Sequence, residues 1–242
     1  MKLTIIRHGD PDYDHDTLTP RGWKEAQALA DRVCGWEVKQ FFVSPLGRAK
    51  DTASCALKRM GRDAEQLEWL REFTPPYIRY PSTGEKHIVW DWLPDDWTTQ
   101  PEFLDPDLWK RNRVMQEGGI PEYYDHVTKQ FDQVLSRFGY EREGRIYRAA
   151  APSHDRLVFF CHFGLECVLL SHLLNVSPMV LWHGCAAAPT SVTTLVTEER
   201  REGRAYFRML MFGDVSHLLA AGLEPSPSAR FCETWTDPTR HD

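Results

Sequence analysis

The chain has 242 residues, 42% of them hydrophobic and 26% charged, enough to bury a full core in one globular domain with an elaboration. Its formal net charge of −6 argues against a nucleic-acid or anionic-membrane partner, so any anionic ligand must be drawn by a local cluster of cations. No basic leader with an apolar core opens the chain and no apolar run approaches the length of a membrane span, which sets the expectation of a soluble, cytoplasmic protein.

Leu3-Thr4-Ile5-Ile6 reads as a short buried strand that runs straight into Arg7-His8-Gly9. Thr19-Pro20 then reads as a helix cap with proline at the first helical position, and Trp23, Ala26, Leu29, Ala30 and Val33 recur at helical spacing to about Cys34. Residues 40–43 form a second apolar strand stopped by Ser44-Pro45, and 47–60 a second helix. This alternation predicts a parallel sheet covered on both faces. Between about 73 and 121 the pattern breaks: Pro75, Pro76, Pro81, Pro94, Pro101 and Pro106 punctuate a stretch carrying Trp90, Trp92, Trp97 and Trp109. Such an insertion is expected to form a cap or lid, its tryptophans packing mainly as a small core of their own.

A helix over 121–138 returns the chain to the sheet. Leu157-Val158-Phe159-Phe160-Cys161 is a continuous apolar run of the kind a central parallel strand shows, with a helix over 165–174 behind it. Residues 191–197 and 205–212 flank a charged turn at 198–204 and predict an antiparallel hairpin closing the sheet. A helix over 215–221 and a loosely ordered Pro/Ser-rich tail follow. There are no internal repeats. The six cysteines, Cys34, Cys55, Cys161, Cys167, Cys185 and Cys232, show neither a C-x-x-C pair nor zinc-type spacing, so free thiols and no structural metal are expected.

Three strand ends carry the chemistry. Arg7 offers a planar fork to phosphate oxygens, His8 can accept a phosphoryl group covalently, and Gly9 permits close backbone approach. Arg48 stands where the second strand has ended and the next helix begins, a position that favours anions. His162 ends the most buried strand in the same way. Because ligands of open α/β sheets bind beyond the carboxyl ends of the strands, Arg7, His8, Arg48 and His162 are expected to converge. Cys161 is rejected as a thiolate nucleophile, because a cysteine phosphatase loop needs an arginine where Cys167 stands. His15, His87, His126, His154, His172, His183, His217 and His241 lack metal-ligand spacing, His183 being the one placed near a late strand.

Arg7-His8-Gly9, Leu18-Thr19-x-x-Gly22 with Gln27-Ala28, Ser44-Pro45-Leu46-x-Arg48-Ala49-x-x-Thr52-Ala53, and the strand ending in His162 together resemble the histidine phosphatase superfamily, in its phosphoglycerate-mutase-like branch. The resemblance covers roughly 1–72 and 155–212. It implies a three-layer α/β sandwich with a mostly parallel six-stranded sheet between helices, and one domain over 1–242 carrying the inserted cap. It also implies that His8 is the phosphorylated nucleophile, that Arg7, Arg48 and His162 bind the phosphate, and that no metal or cofactor is needed. Leu70-Arg71-Glu72 resembles the family's acid pattern and makes Glu72 the candidate general acid, with Glu85, Asp91 and Asp95 in reserve. His8 is expected neutral at the attacking nitrogen and His162 protonated.

Two departures bear on the reaction. Asp14 stands where mutases commonly carry a phosphate-contacting asparagine, and Pro11 replaces a small hydroxyl residue. Both favour a metal-independent phosphatase of the histidine acid type, acting on a small soluble phosphate ester. A phosphoglycerate or phosphosugar mutase with the same nucleophile is the first alternative, and a non-catalytic protein that binds phospho-ligands the second. Lys86, Arg79, Lys110, Arg111 and Arg113 read as a solvated rim in this acidic chain. No oligomeric state is legible.

Overall fold

Strands that are apolar on both sides need cover on both faces, and that requirement organises the molecule. The computed structural model describes residues 1–74, 76–228, 230 and 233–237. Pro75, Cys232 and His241 lie outside the described residues. Strand β1 (Lys2–Arg7) leads to α1 (Pro20–Val33), β2 (Gln40–Val43), α2 (Gly47–Met60) and the two-residue β3 (Glu65–Gln66). After a long irregular segment come α3 (Ile120–Ser136), a hairpin of β4 (Tyr140–Glu143) and β5 (Ile146–Ala149), β6 (Arg156–Cys161) and α4 (Phe163–Leu174). Helix α5 (Pro178–Gly184), a long hairpin of β7 (Val192–Arg201) and β8 (Arg204–Asp214), and α6 (Ser216–Ala220) follow, and a two-residue ladder pairs Pro11–Asp12 with Thr17–Leu18 between β1 and α1.

The central sheet has the order β3-β2-β6-β1-β7-β8-β5-β4. The expectation of six mostly parallel strands is corrected to eight in a mixed sheet: β3, β2, β6 and β1 run parallel, and the pairings from β1 through β7, β8 and β5 to β4 are antiparallel. The hairpin of β7 and β8 therefore does not close the sheet, because β5 and β4 pair beyond it. That outer hairpin escapes a search for long apolar runs, since its strands of four residues carry Glu141, Arg142, Glu143 and Arg148. A positive φ of 60° at Gly144 turns it.

Alternation along β6 divides the core into two layers. Leu157, Phe159 and Cys161 face α3 and α4, while Val158 and Phe160 face the alanine-rich sides of α1 and α2. Phe159 stacks on Phe42 at 4.8 Å between ring centroids and meets Phe131 edge-on at 5.7 Å. Burying each such side chain fully is worth roughly 1.5–3 kcal/mol, which is what locks β6 at the centre. The Thr19 hydroxyl accepts from the Gly22 amide, 3.1 Å, with Pro20 opening α1. Trp23, expected on the buried stripe of α1, is instead exposed.

The segment 73–121 holds a small ladder between Tyr77–Arg79 and Lys86–Ile88, followed by short helical turns. Phe73, Ile78, Tyr80, Trp92, Phe103 and Trp109 are buried, and they join the core layer of α3 and α4 rather than a separate one. His183 ties this segment down: its Nδ1–H donates to the Met179 carbonyl at 2.8 Å, its Nε2 accepts from the Trp92 amide at 3.1 Å, and its ring stacks on Trp97. Of the expected cationic rim, Lys110 pairs with Asp125 and Arg113 with Glu117. No helix among the described residues is long and apolar enough to cross a membrane.

Candidate active site

Neighbouring parallel strands set their carboxyl ends side by side. The registers Val43↔Phe160 and Arg7↔Cys161 place Ser44, His162 and His8 just beyond the ends of β2, β6 and β1. Two backbone bonds extend the ladder, from the Ser44 amide to the Phe160 carbonyl and from the His8 amide to the Cys161 carbonyl, each 3.0 Å. The rings of His8 and His162 consequently lie 5.1 Å apart, centroid to centroid. The Gly9 amide donates to the Thr52 hydroxyl at 2.9 Å, which fastens the first turn to α2.

His8 is 2% exposed, and its Nδ1 stands 2.8 Å from the Gly9 carbonyl oxygen. A carbonyl can only accept, so Nδ1 carries the proton and Nε2 keeps a lone pair. Burial, then the charges of Arg7 and Arg48, lower the His8 pKa well below its ordinary value, which keeps the ring neutral and nucleophilic. His162 is wholly buried, with Nε2 2.8 Å from the Ser44 hydroxyl. Burial lowers the His162 pKa well below its ordinary value too, with the charges of Arg48 and Arg7 adding to the effect, so the ring is neutral where an imidazolium is expected. A phosphate dianion beside it would reverse that balance.

Both guanidinium groups reach this point. Arg7 is 6% exposed and lies 5.9 Å from the Phe163 ring centroid; its Nη1 donates to the Ala187 carbonyl at 2.5 Å. Arg48 donates from Nη1 to Asp16 at 2.7 Å. Arg7 Nε, Arg48 Nε and His162 Nδ1 are buried without a hydrogen-bond partner, as is the Ser191 hydroxyl next in the chain to Thr190. Thr190 donates its amide to the His8 carbonyl at 3.0 Å from an unusual left-handed backbone, φ 59°. The structure thus brings together all four of Arg7, His8, Arg48 and His162, with the Nε–H donors of both arginines left unpartnered.

Glu72 joins them from a distant stretch. Its Oε1 accepts from the amides of Phe73 at 2.7 Å and Leu165 at 3.0 Å, and its Oε2 makes a longer contact with Gly164, 3.3 Å. The carboxyl therefore sits at the amino end of α4, immediately behind His162. Burial raises its pKa, against the opposing pull of those amides and of Arg7. A Cβ on Gly164 would collide with both Trp90 Nε1 and Glu72 Oε1, so the segment 73–121 meets the site here. The reserve acids lie elsewhere on that segment: Glu85 and Asp95 are exposed, and Asp91 pairs with His87.

Three features lie outside the motif spacing. Asp14 is exposed, and it is Asp16 that reaches Arg48. The tail, expected to be loose, is anchored at Ser226 and Ser228: both hydroxyls donate to Asp10 Oδ1, at 2.5 and 2.7 Å, and the Ser228 carbonyl accepts from Arg7 Nη2 at 3.4 Å. Glu166, on the first turn of α4, is 1% exposed. Its carboxyl faces Thr193 and Arg7 without completing a well-formed hydrogen bond, and burial raises its pKa to about 7. Because the folded value exceeds the unfolded one, this group costs stability as pH rises from about 4.5 through 7. Glu166→Gln is expected to stabilise the protein by about 1–3 kcal/mol at pH 8 and little at pH 5. Denaturant melts at the two pH values check it, equal shifts contradicting the assignment.

Among the described residues no group of three or more His, Cys, Asp or Glu is placed to hold a metal ion. The described cysteines are all free, and burial raises the Cys161 thiol well above its ordinary value, so it stays protonated.

A family model for the histidine phosphatase superfamily (branch 1) matches residues 3–206. A 2,3-bisphosphoglycerate-dependent phosphoglycerate mutase from Thermoplasma acidophilum is 34% identical over 74 residues, a match covering 26% of this chain and 37% of that protein's length. Among solved structures, a phosphoserine phosphatase from Entamoeba histolytica in complex with phosphoserine superposes with a TM-score of 0.60 at 20% identity, covering 90% of this chain and 98% of that one. A mycobacterial glucosyl-3-phosphoglycerate phosphatase gives 0.54 at 19% identity, over 88% of this chain and 98% of that one. At these identities the structures speak for the fold.

Proposed function

The chain belongs to the histidine phosphatase superfamily (branch 1), and on that premise we propose that it is a phosphomonoester hydrolase that works through a phosphohistidine on His8. The observation that carries this reading is the neutral His8 ring, its Nε2 lone pair free beside two guanidinium groups whose Nε–H donors are buried and unpartnered. In the first step Nε2 attacks phosphorus, the bond to the leaving oxygen breaks, and Glu72 delivers its proton to that oxygen. In the second, water attacks the phosphohistidine, the P–N bond breaks, and Glu72 takes a proton from the water. Arg7, Arg48 and a His162 that protonates as the phosphate binds stabilise the charge spread over the equatorial oxygens. The positive charge comes from side chains, so the proposal includes no metal.

Glu72 suits its part because burial holds a proton on it at higher pH than usual, and Oε2, with only one long contact, is the oxygen free to carry that proton. Glu72→Gln is expected to lower kcat/KM, which reports the steps through departure of the leaving group, about a hundredfold on an alkyl phosphate, but on p-nitrophenyl phosphate, whose leaving group needs no proton, only a few-fold. Equal losses on both substrates would move the role to another residue. The substrate is proposed to be a small soluble phosphate ester, with the segment 73–121 as the lid whose Trp90 meets Gly164.

The short match to a phosphoglycerate mutase favours one second reading, a mutase using the same nucleophile. A phosphate-release screen over sugar phosphates, phosphoamino acids, nucleotides and phosphoglycerates, with and without chelator, tests both. Hydrolysis unaffected by chelator supports the phosphatase. Retained phosphate with activation by a bisphosphate primer supports the mutase, and loss of rate with chelator overturns the metal-free mechanism.

A further inference from the structure

Asp16 belongs to none of the motifs, yet it makes the most direct contact with the second cation of the site. It lies in the turn between the paired segments Pro11–Asp12 and Thr17–Leu18, at a positive φ of 49°. Its Oδ2 accepts from the Gly47 amide at 2.6 Å, the first residue of α2, and its Oδ1 accepts from Arg48 Nη1 at 2.7 Å. We propose that Asp16 is the positioning residue for Arg48: pinned through Gly47, its carboxylate holds one end of the guanidinium so that the Nε edge is presented to the phosphoryl group. The inference rests on the reading of Arg48 as a phosphate ligand.

The two arginines of the site share one pattern, which supports the assignment. Arg7 is tied at Nη1 by the Ala187 carbonyl and Arg48 at Nη1 by Asp16, and in each the Nε–H is buried with no partner. A guanidinium binds phosphate through a planar edge, so anchoring the opposite end orients the edge in advance and spares the ligand the entropy of ordering a long side chain. Tyr13 lies over the same guanidinium at 5.4 Å, restricting it from another side. The arrangement also accounts for glycine at position 47. A Cβ there would collide with the Asp16 carbonyl oxygen, so only glycine lets the turn come close enough for both carboxylate bonds.

A carboxylate next to a phosphate-binding cation could instead act as a rival anion, and the two roles differ in sign. Removing a rival tightens phosphate binding; removing a positioner weakens it. Calorimetric titration with inorganic phosphate reads this without turnover, on the wild-type protein, Asp16→Ala, Asp16→Asn, Arg48→Ala and the double variant Asp16→Ala/Arg48→Ala. Asp16→Asn keeps the left-handed turn, which asparagine tolerates, and an acceptor for the Gly47 amide, so it separates the lost charge from a collapsed turn. Both Asp16 variants are expected to weaken phosphate binding by about three- to tenfold, Asp16→Asn at an unchanged melting temperature and Asp16→Ala with some loss of stability. In the Arg48→Ala background the further loss is expected to vanish, since the positioner has nothing left to position. Unchanged or tighter binding overturns the proposal, and so does an equal loss in both backgrounds. The expected pattern in a protein that hydrolyses no ester would remove the phosphatase reading while leaving Asp16 in place; a wild-type protein that binds no phosphate would remove both.

Discussion

His8→Ala is expected to reduce phosphate release at least about 10⁵-fold, because it deletes the atom that forms the bond to phosphorus rather than a group that assists it. Two neighbouring groups are poorly placed to replace it. The Cys161 thiol is buried and held protonated, and His162 has its Nε2 engaged with the Ser44 hydroxyl. His8 Nδ1 bonds only to the carbonyl of the next residue, so the substitution leaves few partners stranded and the fold is expected to survive. Two measurements check the result. Steady-state phosphate release gives the rate, and acid-labile, alkali-stable label from a radioactive phosphate ester reports the phosphohistidine, present in the wild-type protein and absent from the variant. Release at an undiminished rate by purified His8→Ala would place the nucleophile elsewhere.

Arg48→Ala ranks second, with an expected loss of about 10³ in kcat/KM. Arg48 is close enough to depress the pKa of both His8 and His162, which puts its charge within reach of a phosphoryl group between them. In a site this buried, an oriented guanidinium needs little reorganisation as charge develops, and that is where its advantage over water lies. Arg48→Lys is expected to recover only part of the loss, since an ammonium keeps the charge but has neither the planar edge nor the geometry that meets Asp16. Kinetics on p-nitrophenyl phosphate, where proton donation is unimportant, isolate this contribution. A loss below tenfold would mean that Arg48 serves the turn around Asp16 and not the phosphate.

Much of the candidate site was legible in the sequence, because a strand that ends in a chemically reactive residue leaves a local signature. Arg7-His8-Gly9, Ser44-Pro45-Leu46 and Cys161-His162 each follow an apolar run and precede a loop or helix, and the structure puts their strands side by side as β1, β2 and β6. Glu72 was legible only through resemblance. Nothing around Leu70-Arg71-Glu72 shows that the carboxyl will cap a helix that starts more than ninety residues later, as its bonds to Gly164 and Leu165 do. Asp16 left no signal, because its role depends on a turn folding back onto the first residue of α2. The hairpin of β4 and β5 was missed for a related reason: short, charged edge strands gain their stability from the neighbour they pair with, here β8.

The protonation states divide along the same line. Residue types led to the expectation of an attacking imidazole and of guanidinium groups holding the anion. Whether His162 carries a proton depends on how deeply it is buried and on which charges face it, and those come from three separate stretches of chain. The amino-acid sequence alone determined the chemistry available and the elements that begin and end at each reactive residue, since caps, prolines and apolar runs act over a few neighbouring positions. Only the tertiary structure decided which of those residues share a space, how the eight strands are ordered, and which carboxylate steadies which arginine. Burial, electrostatic coupling and edge-strand pairing are set by groups distant along the chain, and no local pattern encodes them.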